Sequence, residues 1–362
     1  MTEESIRIPV PDDWHLHLRD GEVLELTANH SAARCKRAII MPNLKPPVVT
    51  IEDAQSYLER IRKALGPSSF QPLMTLYLTD RTDAAQIKKA VQSDHVFAVK
   101  LYPAGATTNS EHGLTSIQKA EEALAAMEAE GFPLLVHAEA TDPSIDVFDR
   151  EKAFVDGDLD WICQRFPGLR IVFEHVSSRH GVEFVRSESR RMGATVTPHH
   201  LLLTRNDLLV GGLKPHHYCL PVVKTEEDRQ SLIDACLTLE NFFAGTDSAP
   251  HPRSKKESHS CAAGIYTAPF FPELYTMAFE HRFGAGERDR NSLKPMEGFL
   301  RDFLCLRGER FYGLKSSGEQ HMEIRREDQL IPEHYPFGDD VLIPLYAGKT
   351  IPYTAEIISA HS

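Results

Sequence analysis

Several features are missing from this chain of 362 residues. No apolar run reaches the roughly 18 residues that a membrane-crossing helix needs, so no membrane partner is expected. The six cysteines, Cys35, Cys163, Cys219, Cys236, Cys261 and Cys305, form no CxxC pair. That argues against a disulfide framework and a thiolate zinc knuckle, and it fits a reducing compartment. Positive charge is in deficit, 40 Lys and Arg against 52 Asp and Glu, for a formal net charge of −12. A field of that sign repels phosphate backbones, so no nucleic-acid partner is expected either. The first residues lack the basic and apolar segments of a secretory leader and are too acidic for a transit peptide, which makes the cytoplasm the expected location.

What is present has the composition of an ordinary globular enzyme, with 41% hydrophobic and 25% charged residues. Short apolar runs at 38–41, 72–78, 96–101, 133–137, 170–174, 194–197 and 241–245 read as buried strands. Between them lie helical patterns. Ile51, Ala54, Leu58, Ile61 and Leu65 follow a Thr50-x-x-Asp53 capping signal. Ile117, Ala120, Leu124 and Met127 follow Thr115-x-x-Gln118, and Leu232, Ala235, Cys236 and Leu239 follow Thr225-x-x-Asp228. Taking His17, Met41, Tyr77, Lys100, His137, His175, Thr197 and Gly245 as strand ends gives eight strands about 33 residues apart, the size of a βαβ unit. With no GxGxxG after any strand, the spacing favours a closed (β/α)8 TIM barrel of the α/β class over a doubly wound sheet. The segment 248–295, rich in proline, glycine and charge, is expected to be a solvated loop region around a helix or two. The tail at 337–357, with Val341-Leu342-Ile343 and a Gly348-Lys349 turn, is expected to add small strands outside the barrel.

The polar residues at those strand ends carry the chemistry. His15 and His17 stand at i and i+2 on the first strand, so both imidazoles point to one face and can share a metal. With 18 histidines in the chain, about one such pair arises by chance, so the pair alone is weak. Lys100, His137, His175 and Asp247, however, end later apolar strands, and in a barrel all of them converge on the C-terminal mouth. A shared metal centre accounts for them together. Four imidazoles and a carboxylate suit two divalent ions, zinc by ligand type, with cobalt or manganese as competitors. Spacing does not explain an ammonium beside two cations.

The set His15-x-His17, Lys100, His137, His175 and Asp247 resembles the metal site of the amidohydrolase superfamily. The longer motifs are Leu18-Arg19-Asp20, Met41-Pro42-Asn43-Leu44, Lys100-Leu101-Tyr102-Pro103-Ala104, Thr107-Thr108-Asn109-Ser110, His137-Ala138-Glu139 and Gly245-Thr246-Asp247-Ser248-Ala249-Pro250-His251. They resemble the dihydroorotase family in its short single-domain form, from about residue 6 to 357. Pro252, Ser254 and Tyr353 depart from that form, but none of these motif positions is affected.

The resemblance implies a binuclear metal centre at the C-terminal face of the strands, in a single amidohydrolase-type barrel domain over 1–362 with the extra strands at its C-terminus. His15, His17 and Asp247 would hold one Zn2+, His137 and His175 the other, and Lys100, N6-carboxylated by carbon dioxide, would bridge them. Asp247 would be the catalytic proton carrier. Arg19, Asn43 and His251 would clamp the substrate carboxylate, the backbone of Leu220, Ala263 and Gly264 would hold the ring, and Thr107 and Thr108 would reach it from a lid. The implied activity is the reversible cyclisation of N-carbamoyl-L-aspartate to L-dihydroorotate in de novo pyrimidine biosynthesis, by a cytoplasmic homodimer. The rival readings are another cyclic amidohydrolase, of hydantoinase or allantoinase type, and a catalytically inactive scaffold homologue. His199-His200 and His216-His217, adjacent pairs whose side chains diverge, are expected to serve hydrogen bonding.

Overall fold

A computed structural model of the chain describes residues 5–283, 293–315 and 320–358. Eight parallel strands follow one another around a barrel: β2 (Asp12–Leu16), β3 (Arg37–Ile40), β4 (Gln71–Tyr77), β5 (Val96–Leu101), β6 (Leu134–Val136), β7 (Ile171–Phe173), β8 (Met192–Val196) and β9 (Phe242–Ala244). They are preceded by β1 (Ser5–Pro9). Every expected strand end lies within two residues of an observed one. Among the described residues, no helix is long and apolar enough to cross a membrane.

Strand periodicity sets the interior. Ile39, Leu73, Ala98, Leu135, Val172 and Phe243 form one core cluster with Trp14. Two residues further along, on the same faces, come Met41, Thr75, Lys100, His137, Glu174 and Gly245. The apolar layer thus floors the barrel and the polar layer lies at its mouth. From below, the helix Arg307–Tyr312 closes the barrel and stacks Tyr312 on Trp14 with ring centroids 4.7 Å apart. Gly308 permits that approach, since a Cβ there would lie 2.0 Å from the Trp14 indole nitrogen.

β9 returns to β2 through strand-end contacts rather than a regular ladder. Asp247 N–H donates to the His15 carbonyl at 2.9 Å and His17 N–H to the Ser248 carbonyl at 3.2 Å. The buried Asp13 carboxylate ties the two strands, accepting from Thr246 N–H at 2.8 Å and Thr246 Oγ1 at 2.6 Å. The helix Ile51–Leu65 forms as its pattern predicts, with Thr50 and Asp53 making a reciprocal capping box and Ala54, Tyr57, Leu58 and Ile61 buried. A cap of this kind contributes about 1 kcal/mol.

Two expectations change. Thr115 caps no helix, because its N–H and hydroxyl both go to Asp80, and the chain instead enters a 3-10 turn at Ile117–Ala120 before the helix Glu121–Glu130. The segment 248–295 is solvated only in part, with Arg253, Ser254, Lys255, Glu257, His259 and Ser260 exposed. Ile265, Tyr266, Phe270, Phe271, Leu274, Tyr275 and Phe279 are buried, most of them around the helix Phe271–Phe283, and only residues 284–292 lie outside the described part. The tail does form strands, β11 (Tyr335–Phe337), β12 (Asp340–Leu342) and β13 (Thr350–Ile358). β13 joins an antiparallel sheet ordered β1, β10 (His321–Leu330), β13, in which β1 brings the beginning of the chain alongside its end. That pairing spans more than 300 residues, and a five-residue strand carries too little local pattern to announce it.

Candidate metal centre

The carboxyl ends of the barrel strands bring the ligand candidates into one buried place. His15 Nε2, His17 Nε2 and Asp247 Oδ1 face one another at 3.0 to 3.3 Å. Beside them His137 Nδ1 and His175 Nε2 stand 3.1 Å apart, and the rings of His15 and His175 lie 5.1 Å apart. Ligands about 2.1 Å from a tetrahedral zinc are separated by about 3.4 Å, so these spacings fit the edges of a coordination shell. His175 and Asp247 lie two and three residues beyond their strands, with φ of 42° and 44°. Arg19, at φ 63°, shares that left-handed region. Side chains other than glycine adopt it only under constraint, and such strain gathers at functional sites.

Carboxylates behind the imidazoles set which nitrogen is bare. His15 Nδ1–H donates to Glu174 Oε2 at 2.8 Å, and Thr195 Oγ1 donates to the same oxygen at 2.5 Å. His137 Nε2–H donates to Glu139 Oε2 at 3.0 Å, which leaves Nδ1 free to face His175. Such carboxylate–imidazole pairs orient a metal ligand and raise its basicity. Sequence reasoning missed both acids as functional groups. Glu174 follows Val172 by two residues, and Glu139 follows His137 by two, so the inward strand face was the available signal.

Electrostatics separates the roles. Burial pushes the His17 imidazole down to about 3, so it is neutral. Burial and the neighbouring His137 likewise hold His175 well below its ordinary range. Burial alone would raise Asp247, but the neighbouring imidazoles, His15 first and then His17 and His175, outweigh it and hold the acid well below the usual carboxylate range. Lys100 is fully buried, its Nζ has no hydrogen-bond partner among the described residues, and burial lowers it to about 8. An orphaned buried amine next to a ligand cluster is expensive as an ammonium, and carbon dioxide capture would convert it into an anion matched to cations. The residues present therefore fit a two-metal, carboxylated-lysine centre.

The pocket above holds most of the remaining expected residues: Arg19, Asn43, Thr107, Thr108, Leu220, Ala263 and Gly264 all line it, together with Tyr102 and Ala249, which were not expected. His251 borders it. Arg19 donates through Nη2 to His251 Nε2 at 2.9 Å and through Nε to the Pro250 carbonyl at 3.1 Å, while its buried Nη1 has no hydrogen-bond partner among the described residues. Burial, with Arg19 and Lys256 nearby, keeps His251 well below its ordinary range and hence neutral. A guanidinium with one free donor face is suited to a carboxylate. Asn43 donates to the Thr108 carbonyl at 3.0 Å, and Thr108 Oγ1 donates to the Ala263 carbonyl at 3.4 Å, so the loop carrying Thr107 and Thr108 spans the pocket. The Tyr102 hydroxyl is buried without a partner, on the pocket wall. His200 is hydrogen-bonded through both nitrogens, to Thr197 Oγ1 and to the Pro221 carbonyl, as expected, whereas buried His199 departs from that expectation, with no hydrogen-bond partner for either nitrogen among the described residues.

A family model described as the amidohydrolase family matches residues 10–319. A dihydroorotase of Halorhodospira halophila is 49% identical over 350 residues, covering 96% of this chain and 98% of its own. Among solved structures, a dihydroorotase from Campylobacter jejuni is similar with a TM-score of 0.87 at 34% identity, covering 98% of both chains. The Saccharomyces cerevisiae dihydroorotase in complex with 5-fluoroorotic acid also has a TM-score of 0.87, at 28% identity, covering 98% of this chain and 99% of the other.

Proposed function

Because the chain belongs to the amidohydrolase family, and within it to the dihydroorotases, we propose that the pocket at the barrel mouth is where it interconverts N-carbamoyl-L-aspartate and L-dihydroorotate. The reaction closes a cyclic amide with loss of water and opens it again, in de novo pyrimidine synthesis. The observation that carries the site assignment is the convergence of His15, His17 and Asp247 beside His137 and His175, with an unpartnered buried lysine among them. A hydantoinase or allantoinase reading is not favoured against 49% identity to a dihydroorotase, and neither is an inactive scaffold. In this reading residues 1–362 form one catalytic barrel domain, with the C-terminal strands as an appendage.

Two divalent ions, zinc by ligand type, would be held by His15, His17 and Asp247 on one side and by His137 and His175 on the other, with carboxylated Lys100 between them. Carboxylation follows from burial: the Lys100 nitrogen, neutral a little above pH 8, attacks carbon dioxide, forms an N–C bond and releases a proton. When bound, the metal pair supplies Lewis acidity that polarises the amide carbonyl and lowers the pKa of water. Asp247, kept ionised by the imidazoles, takes the water's proton in ring opening and delivers it to the ring nitrogen as the C–N bond breaks. In ring closure the same carboxyl, entering in its proton-carrying form, gives its proton to the departing oxygen and regains one from the attacking carbamoyl nitrogen.

Arg19 Nη1, with Asn43 and neutral His251, would fix the spectator carboxylate. The backbone of Leu220, Ala263 and Gly264 would hold the ring, and the lid threonines would shut out bulk water. Metal analysis with parallel assays on dihydroorotate and hydantoin tests this reading. About two metal equivalents per chain and at least a 100-fold preference in kcat/KM for dihydroorotate are expected. An equal preference would remove the carboxylate clamp. A cytoplasmic homodimer completes the proposal, and sedimentation of the holoenzyme checks the dimer.

A further inference from the structure

Lys256 ends the short helix Arg253–Lys256, just beyond His251, and only 3% of it is exposed. Its ammonium has no acidic partner among the described residues. Instead it donates three hydrogen bonds to backbone carbonyls: Tyr218 at 2.8 Å, Ala262 at 2.8 Å and Gly264 at 2.7 Å. Those carbonyls belong to the two segments that carry the backbone lining the pocket, 218–220 and 262–264. The Tyr218 carbonyl also accepts from Gly264 N–H at 3.0 Å, so the two segments meet at the lysine.

We propose that Lys256 is a positioning residue for the reaction, its ammonium clamping the Tyr218, Ala262 and Gly264 carbonyls so that the backbone around Leu220 and Ala263 is held in register for the substrate ring. The inference rests on the reading that this backbone holds the ring. The physical argument begins with cost. A buried cation met by carbonyl dipoles and the face of the Tyr218 ring 5.8 Å away, with no acidic partner among the described residues, keeps much of its desolvation penalty, and burial lowers this lysine to about 8. A neutral, well-packed side chain would serve stability better. What an ammonium supplies is three donors spread tetrahedrally from one point, able to gather three carbonyls that no ladder pairs. Peptide planarity then sets the opposite edge, because the Ala263 N–H runs antiparallel to the Ala262 carbonyl. With that carbonyl drawn back to Lys256, the Ala263 N–H faces away from the lysine, on the side where Ala263 lines the pocket. The clamp also bears on the lid, since Thr108 reaches the Ala263 carbonyl. Gly264 has φ 147°, and a Cβ there would meet the Ala249 carbonyl oxygen at 2.6 Å, so the segment has little room to find another path.

The test compares Lys256→Met, Lys256→Arg and Gly264→Ala in the metal-loaded enzyme, by steady-state hydrolysis of dihydroorotate, metal content and melting temperature. Lys256→Met is expected to raise KM at least about tenfold with kcat within about threefold and metal content unchanged, because a loosened ring seat weakens binding more than chemistry. Lys256→Arg, which restores a cation and several donors, is expected to recover part of that rise. Gly264→Ala, which distorts the same segment directly, is expected to raise KM as well. A wild-type KM in Lys256→Met alongside a raised KM in Gly264→Ala overturns the role of Lys256 while sparing the ring-seat reading. Wild-type KM in both overturns both. A variant Lys256→Met that loses metal and kcat with unchanged KM, or an arginine variant no better than methionine, reduces Lys256 to a structural tie and overturns the proposal. Should Lys256→Met fail to fold, Lys256→Gln, which keeps an amide donor, must show the raised KM, and a wild-type KM there overturns the proposal equally.

Discussion

His15 donates its Nδ1–H to Glu174 Oε2 at 2.8 Å, and the consequence appears on the other side of the ring, where Nε2 is left bare 3.3 Å from Asp247 Oδ1. One buried carboxylate thereby fixes the tautomer of a residue that sits 159 positions away in the chain. Glu174→Gln keeps the volume and removes the charge. Metal affinity should fall about 10- to 100-fold, with the fold intact by circular dichroism. Chelator competition measures it, and wild-type affinity would show that Glu174 does not orient His15.

Lys100→Ala removes the orphaned amine. Loss of most activity and of metal is expected, with partial return when short carboxylates such as propionate are added to stand in for the missing anion. Full metal content and wild-type turnover in the variant would rule out a bridging lysine.

In the proposed reaction Asp247 serves ring opening as a base and ring closure as an acid, so one substitution should affect both directions. Rates of hydrolysis should fall in acid, where the carboxylate is protonated, and rates of closure should fall as pH rises. Asp247→Asn should abolish both at every pH, by about 10²-fold or more. A variant that still cyclised normally after losing hydrolysis would separate the two roles and contradict a single proton carrier.

Thr107 and Thr108 lie on a loop turned on itself through Ser110 and tied across the pocket by Asn43 to the Thr108 carbonyl, Asn109 Nδ2 to the Asn43 carbonyl and Thr108 Oγ1 to the Ala263 carbonyl. Replacing both threonines by alanine should lower kcat/KM about tenfold or more, with metal content and melting temperature near wild type. If the kinetics do not change, the loop is only a connection.

Glu273 offers a pH test of stability away from the metal. It is fully buried, burial lifts it to about 7, and Arg34 at 3.3 Å only partly offsets that. The folded chain therefore holds a proton there that the unfolded chain releases near pH 4.5. Stability from this group is largest in acid and declines as pH rises from about 4.5 to about 7, by up to about 3 kcal/mol. Glu273→Gln should gain on wild type across that window in urea unfolding, and a constant difference would contradict a buried, protonated Glu273.

Much of the barrel was legible because both of its periodicities are local. Apolar runs spaced about 33 residues apart mark βαβ units, and signals such as Thr50-x-x-Asp53 mark helix starts within a few residues. The site was legible to the extent that strand ends in a barrel converge: Lys100, His137, His175 and Asp247 could be placed at one mouth before any distance was known. The sheet of β1, β10 and β13 was not legible, since its pairing depends on contacts across nearly the whole chain.

By itself, then, the sequence determined the barrel and the gathering of polar residues at its strand ends, because alternation along a strand and motif spacing are properties of neighbours, while the proposed ligand roles and carboxylate clamp came through the family resemblance. Only the tertiary structure decided which nitrogen of His15 and His137 is bare, that Lys100 Nζ has no hydrogen-bond partner among the described residues, that Asp13 closes the barrel through Thr246, and that Lys256 gathers three carbonyls. Each of those depends on a side chain meeting a group brought close by folding, and on burial, which turns such meetings into shifted protons and fixed directions.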